Sequence, residues 1–220
     1  MNGHIQRFSF YKDQGLNFTK VLDIGAFEGH WTAMFKQLFP LSEVLMVEAN
    51  FEKESNLKSL KHLGDYKIVL LGAENDKEVD YYKCLDSAIA TGNSIFQENT
   101  NFKFQSEKRK TQTLNFLLEK NISKEFDLIK MDVQGSELDI IKGGLDVIKN
   151  TKFLLMELQT LEYNKGAPRI ENVISYLKDL DFEFIDIFDL LYSKNGHLIQ
   201  LDGFFINKRF RDPKKIFNFN

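Results

Sequence analysis

The residues best suited to chemistry cluster around one glycine-bearing turn. The apolar run 21–24 contains Asp23 and is followed by Gly25, Ala26, Phe27 and Gly29. Open α/β sheets bind ligands outside the carboxyl ends of their strands, so a buried strand that runs into glycines and then a helix is a candidate site. Glu48 ends the next apolar run, where a carboxylate can accept both hydroxyl groups of a ribose.

The spacing of these glycines discriminates between cofactors. Gly25 and Gly29 are separated by three residues, which does not match the G-x-G-x-x-G turn that cradles a pyrophosphate. Asp23 would repel a pyrophosphate and suits a ligand with an amino group or a cation. The pattern therefore predicts S-adenosyl-L-methionine, which has a ribose, an ammonium and a sulfonium. Three alternatives stay open: a nicotinamide-dependent oxidoreductase on a related fold, a non-catalytic nucleoside-binding module, and a purely structural turn with surface carboxylates.

Strand and helix signals alternate along the elements that must position these residues. Continuous apolar runs predict strands that are covered on both faces, and the helical stretches between them make the sheet parallel. The runs predicted as the first five core strands are 21–24, 44–47, 66–71, 126–131 and 153–156. We interpret 1–220 as a single domain, with a helical extension over 1–20. Residues 78–113 break the rhythm, and we interpret 84–112 as a substrate-side insertion.

Several blocks in order resemble the FkbM family of methyltransferases, over roughly residues 8–207. Residues 21–32 resemble the family's "VIDVGANxGxWS" turn, and residues 127–137 resemble "DLIKIDVEGAE". Supporting blocks are Phe39-Pro40, Val47-Glu48-Ala49, Leu155-Met156-Glu157 and Asp202-Gly203-Phe204-Phe205. The resemblance implies an α/β, Rossmann-like class I methyltransferase fold: a mostly parallel seven-stranded sheet with an antiparallel final strand and helices on both faces.

The resemblance also implies roles for individual residues. The methionine part of the cofactor is expected beside Asp23, Gly25, Ala26, Phe27 and Gly29, and the ribose at Glu48. Adenine contacts are expected at Asn50 and at Gly72, Ala73 and Glu74, and Ala49 is expected among the cofactor-binding residues. Asp132 and Gln134 should face the methyl group and the acceptor, with Glu157 on the substrate side.

Three positions depart from the family pattern. Phe27 stands where Asn is usual, Asn115 where Asp is common, and Gln134 where Glu is usual. The last change removes a carboxylate near the expected site, which keeps the non-catalytic alternative open.

The implied reaction is O-methylation of a hydroxyl on a sugar, a glycan or a related small molecule. A sugar hydroxyl is a poor nucleophile, so a base within hydrogen-bond reach helps. Asp132 is the first candidate for this base and His30 the second, although Asp132 could be a loop-capping carboxylate and His30 a partly buried helix residue. Lys130 precedes Asp132 in the strand and is predicted to point to the opposite face, in a salt bridge.

Composition and charge limit the kinds of partner and the location that the sequence predicts. The net charge is −3 with scattered Lys and Arg, which gives no reason to expect nucleic-acid binding. No run approaches the length of a membrane span, no tight ligand spacing predicts a metal, and the chain could form a homodimer. The single cysteine suits a reducing compartment and the first residues lack a signal-peptide core, so a cytoplasmic location is expected.

Overall fold

Nine strands and seven α-helices make up most of the described chain, which in this computed structural model covers residues 2–86, 92–119 and 124–211. The strands are β1 (Lys20–Ile24), β2 (Glu43–Glu48), β3 (Asp65–Ile68), β4 (Glu78–Cys84), β5 (Phe104–Lys110), β6 (Leu128–Met131), β7 (Phe153–Gln159), β8 (Phe182–Tyr192) and β9 (Leu198–Asn207). The helices are α1 (Asn2–Asp13), α2 (His30–Leu38), α3 (Glu54–Ser59), α4 (Leu114–Leu117), α5 (Glu137–Gly143), α6 (Leu145–Lys149) and α7 (Ile170–Asp179).

Seven of the strands form one sheet in the order β3-β2-β1-β6-β7-β9-β8. The pairs among β1, β2, β3, β6 and β7 are parallel, whereas β9 runs antiparallel to both of its neighbours. The predicted fold class is therefore confirmed, including the antiparallel final strand. Because β1, β2, β6 and β7 point the same way, their carboxyl ends meet at one edge of the sheet.

The two faces of the sheet have different cores. Successive strand residues point to opposite faces, so Val21 packs with Phe8 and Phe35 from α1 and α2, whereas Leu22 packs with aliphatic residues from α4 to α7. The first face is rich in phenylalanine, and the ring of Phe8 alone meets Phe18, Trp31, Phe35, Phe39 and Phe188. Helices thus cover both faces, as the continuous apolar strands predicted.

The irregular stretch 84–112 contains a strand that the sequence pattern did not reveal. Strands β4 and β5 pair antiparallel as a separate ribbon. Strand β5 reads Phe-Gln-Ser-Glu-Lys-Arg-Lys and has no buried residue, so it lacks the alternation by which a half-buried strand is recognised. Residues 87–91 lie outside the described residues. The ribbon is tied to the main sheet by Arg109, which donates to the carbonyl of Ala49 at 2.6 Å and lies over the ring of Tyr81.

Helix α1 packs on β8 at the far end of the sheet. Arg7 and Tyr11 both donate to Asp186 Oδ2, at 2.6 Å and 3.0 Å. A Cβ added to Gly3 would lie 2.0 Å from the carbonyl oxygen of Phe188, so the start of this helix is in backbone contact with the strand. This docking brings the first residues of the described chain to the edge where the strands end.

Candidate active site

A cavity of about 420 Å³ lies at the carboxyl ends of β1, β2 and β6. One part of its wall is apolar and comes from Ile24, Val47, Val69, Leu70, Leu71 and Ile140. The remaining wall carries polar groups from Glu48, Asn93, Ser94, Glu98, Gln134, Glu157, Tyr163 and Gln200. An apolar wall beside a few hydrogen-bonding groups is the usual composition of a small-molecule site.

Glu48 closes the glycine turn from the neighbouring strand. Its Oε2 accepts the backbone N–H of Phe27 at 2.7 Å, and its Oε1 accepts that of Asn50 at 2.7 Å. Burial raises the pKa of Glu48, against the lowering effect of these two amides. The turn itself depends on Gly25, where an added Cβ would lie 1.9 Å from the carbonyl oxygen of Asp132. Phe27 has a left-handed φ of 50°, a conformation that Asn tolerates better than Phe.

A second cavity, of about 280 Å³, adjoins the first on the α1 and α2 side. It is lined by His4, Ala26, His30, Trp31, Lys130 and Asp202, among others. Gly25, Phe27, Asp132 and Glu157 border both cavities. The two cavities therefore meet at the turn after β1 and the loop after β6.

Lys130 lies under this junction and corrects the prediction that it points away from Asp132. Its Nζ donates to the carbonyl of Gly25 at 3.0 Å and lies 3.2 Å from Asp23 Oδ1 and 3.7 Å from Asp132 Oδ2. Residues two positions apart in a strand share a face, so Lys130 and Asp132 point the same way. Burial opposes the charged amine, but Asp23 and Asp132 outweigh it and raise the pKa of Lys130.

The loop after β6 joins two carboxylates through one amide. Gln134 Nε2 donates to Asp132 Oδ1 at 3.2 Å and to Glu157 Oε1 at 3.0 Å. Gln200 Nε2 donates to the same oxygen of Glu157 at 2.8 Å. Burial, together with Asp132, Glu137 and Asp202, raises the pKa of Glu157 well above its ordinary value. A glutamate at position 134 could not make these bonds as an ionised group.

Two further contacts hold this loop. Glu137, which is 4% exposed, accepts the backbone N–H groups of Val133 at 3.1 Å and Gly135 at 3.4 Å. Burial raises the pKa of Glu137 to about 7. From the insertion, Ser94 Oγ donates to the carbonyl of Gln134 at 2.8 Å, so the insertion is bonded to the site.

The structure brings most of the predicted site residues together. Gly25, Phe27, Glu48, Ala49, Asn50, Asp132, Gln134 and Glu157 line the first cavity, and Ala26 and His30 line the second. His30 is largely exposed, with its Nε2 3.9 Å from Glu28 Oε2.

Five predicted residues lie away from the cavity walls. Asp23 is fully buried beneath them, where its carboxylate accepts from Thr32 Oγ1 at 2.7 Å. Gly29 packs against Leu60 and Leu57. Gly72, Ala73 and Glu74, where adenine contacts are expected, lie just beyond the cavity wall, which is lined by residues 69–71 after the end of β3 at Ile68.

Sequence reasoning did not find several residues of the site. The first cavity gains Tyr81, Asn93, Ser94, Glu98, Tyr163, Leu191 and Gln200, and the second gains His4 and Asp202. Asp202 had a usable signal, because it lies in a block that resembles the family, and the structure pairs it directly with Glu157 across β7 and β9. The others come from loops, from α1 and from strands β4, β8 and β9, which no local pattern connects to the site.

Comparison with solved structures identifies the fold. A TehB-like SAM-dependent methyltransferase from Corynebacterium glutamicum superposes with a TM-score of 0.50 and 10% identity, over 93% of this chain and 87% of the other. A chain of a fibrillarin/Nop5p complex gives a TM-score of 0.50 and 14% identity, over 86% of this chain and 72% of the other. At such low identity the likeness shows the fold alone, which is the Rossmann-like class I methyltransferase fold.

The family follows from the sequence itself. Residues 23–184 match the model of the methyltransferase FkbM domain. The chain therefore belongs to the FkbM methyltransferase family, and family and fold together support S-adenosylmethionine-dependent methyl transfer as its activity. No curated protein matches the sequence at a significant level.

The described residues include neither a helix that could span a membrane nor a candidate metal site. None of the helices there combines the length and apolar character needed to cross a bilayer. In the same part of the chain, no group of three or more His, Cys, Asp or Glu side chains could hold a metal ion.

Proposed function

We propose that this protein transfers a methyl group from S-adenosylmethionine to a hydroxyl of a sugar, a glycan or a related small molecule. The single observation that carries the proposal is the pair of adjoining cavities with Glu48 in one and the turn after β1 between them. The apolar slot formed by Val47, Leu71 and Ile140 fits a nucleobase. Glu48 lies beside it with both oxygens at the end of β2, and each can accept a second hydrogen bond from a ribose hydroxyl.

The residues shared by the two cavities would surround the reacting atoms. When bound, the cofactor supplies a methyl group on a positively charged sulfur. Asp132 borders both cavities, so its charge favours a cation there. Gly25 allows the turn after β1 to lie directly against the loop after β6, because an added Cβ would overlap the carbonyl oxygen of Asp132.

The polar wall of the first cavity suits an acceptor with several hydroxyl groups. Glu98 is 2% exposed, accepts from Tyr163 Oη at 3.2 Å, and has its pKa raised by burial. Asn93, Gln134 and Gln200 add amide groups to the same wall. Amides and carboxylates offer both donors and acceptors, which is what a ring of hydroxyls requires.

We assign the proton-accepting role to Asp132, whose side chain is 43% exposed at the junction of the cavities. Its bond from Gln134 fixes its orientation, and alignment of acceptor, carbon and sulfur supplies much of the rate in such a displacement. His30 stays the second candidate, at the rim of the second cavity.

Calorimetry with S-adenosylhomocysteine tests the cofactor assignment. Glu48→Ala should weaken binding by about 1.5–3 kcal/mol, the scale of hydrogen bonds to a charged group. Glu52→Ala is the matched control, because Glu52 is an exposed carboxylate four residues along the chain. Denaturation of both variants in the same buffer separates lost contacts from lost folding. Unchanged affinity in Glu48→Ala, or tight binding of NAD, would contradict the assignment.

Release of S-adenosylhomocysteine from a panel of simple methyl glycosides tests the acceptor class. Turnover with at least one glycoside, reduced roughly 100-fold or more in Asp132→Asn, is expected for a lost general base. Wild-type protein that binds the cofactor yet methylates none of the panel or of glycan fractions would favour the non-catalytic alternative.

A further inference from the structure

A buried chain of hydrogen bonds links three separate elements at the second cavity. Trp31 Nε1 of α2 donates to His4 Nδ1 of α1 at 3.1 Å. His4 Nε2 lies 2.7 Å from Asp202 Oδ2 of β9. His4 is 6% exposed, and all three side chains line the cavity.

The indole fixes the direction of this chain. An indole N–H can only donate, so Nδ1 of His4 carries no proton and the proton is on Nε2. The imidazole is therefore neutral and donates to Asp202. Among the described residues, Oδ2 is the Asp202 oxygen with a side-chain partner, and Oδ1 has none, which leaves an oriented carboxylate oxygen for a ligand.

The charges around this cavity favour a cation. Asp132, Glu157 and Asp202 contribute carboxyl groups to its wall. Lys130 is the lysine of this wall, and its amine is already bound to Gly25 and Asp23. Since His4 is neutral, the wall has an excess of negative charge.

We propose that Asp202, held by His4 of α1, binds the ammonium group at the amino-acid end of the cofactor. This inference rests on the proposed function, which places the nucleoside in the first cavity. The second cavity begins at Gly25 and Phe27, where the first one ends, so the amino-acid end extends into it. Helix α1 is thereby part of the cofactor site. Through His4 and Asp202 it raises the affinity for the whole cofactor above that for nucleosides that lack the amino acid.

Calorimetry with two probes tests this assignment. S-adenosylhomocysteine has the amino-acid end, and 5′-methylthioadenosine lacks it. Asp202→Asn keeps an oxygen that can accept from His4 but removes the charge. It should weaken S-adenosylhomocysteine binding roughly 10- to 100-fold and change 5′-methylthioadenosine binding by no more than about 2-fold.

Two further variants separate this role from simple docking of α1. His4→Phe keeps the aromatic contacts with Phe8 and Phe188 but removes both hydrogen bonds, and it should weaken S-adenosylhomocysteine binding roughly 3- to 10-fold. Tyr11→Phe removes a bond between the same helix and β8 without touching the cavity, and it should leave both affinities unchanged.

Each outcome decides something. Equal loss for both probes in Asp202→Asn, loss for neither, or equal affinity of wild-type protein for the two probes would overturn the ammonium assignment and leave the proposed function standing. Failure of wild-type protein to bind either probe would overturn both.

Discussion

Two turns at neighbouring strand ends are built alike and work differently. The turn after β1 has Phe27 at φ 50°, between Gly25 and Gly29, and the loop after β6 has Gln134 at φ 55°, directly before Gly135; all three glycines have positive φ. In each, a buried glutamate accepts backbone amides: Glu48 in the first and Glu137 in the second. Phe27 and Gln134 are also positions where the chain departs from the family pattern.

The difference lies in what the left-handed residue contributes. Phe27 acts through its backbone N–H, and its ring is 4.2 Å from the amine of Lys53. Gln134 acts through its side chain, which bridges Asp132 and Glu157. A departure from a family pattern is therefore tolerated for different reasons at the two turns, and substitutions there should have very different effects.

Gly25→Ala should have the largest effect, because the added side chain is incompatible with the backbone conformation of the first turn. The added Cβ meets the carbonyl of Asp132 at 1.9 Å, and φ is +76°. We expect a loss of about 3 kcal/mol or more in the free energy of unfolding, measured by urea denaturation. Gly166→Ala is the control, with φ +74° and nothing within 4 Å, and it should cost only about 1 kcal/mol. Equal losses would mean that strain alone, without the overlap, explains the first result.

Glu137→Gln should change how the stability of the protein depends on pH, which distinguishes Glu137 from the other buried glutamate, Glu48. The pKa of Glu137 is about 7 in the folded protein, above its ordinary value, so the stability from its bound proton is present below about pH 4.5 and lost as the pH rises through 7. Glutamine can still accept the amides of Val133 and Gly135. Between pH 4.5 and 8, the free energy of unfolding of the wild-type protein should fall by on the order of 2–3 kcal/mol relative to that of Glu137→Gln.

Denaturation curves across that pH range make the measurement. A stability difference that is flat with pH would show that Glu137 does not hold a proton. Glu48→Gln should lower the free energy of unfolding at every pH. The carboxylate accepts from Phe27 and Asn50 through two oxygens, and glutamine offers only one.

Gln134→Glu restores the usual family residue and tests the side-chain bridge. It removes the amide donor and adds a third carboxylate beside Asp132 and Glu157, so we expect about 1–2 kcal/mol of destabilisation at pH 8. Burial and its charged neighbours raise the pKa of Glu157, so Glu157 takes up a proton as the pH falls towards 5 and the loss should shrink there. Asn115→Asp makes the same exchange opposite Asp146 at the surface, and it should cost less than about 0.5 kcal/mol. A pH-independent loss in Gln134→Glu would argue against repulsion as its cause.

Phe27→Asn should have the smallest effect. Asn tolerates a left-handed φ and would relieve strain, while the contact with Lys53 is lost. The free energy of unfolding should change by less than about 1 kcal/mol, and calorimetry should find the affinity for S-adenosylhomocysteine nearly unchanged. A large loss of affinity would show that the ring contacts the cofactor, and the contrast between the two turns would fail.

The sequence by itself determined the fold class and the positions of the two turns. The apolar run 21–24 leads directly into Gly25, the predicted strand 126–131 is followed within four residues by Gly135, and Glu48 comes directly after the apolar run 44–47. Local signals of this kind are readable because strand burial and turn geometry depend on neighbouring residues in the chain.

The tertiary structure alone decided which side chains share a cavity. His4, Ser94 and Asp202 reach the site from α1, the insertion and β9, and their partners lie 27 to 198 residues away. Strand β5 was missed because none of its residues is buried, and residues 69–71 line the cavity ahead of the predicted Gly72 to Glu74 because β3 ends at Ile68. Contacts between distant segments arise from packing and strand order, which no spacing within a short window encodes.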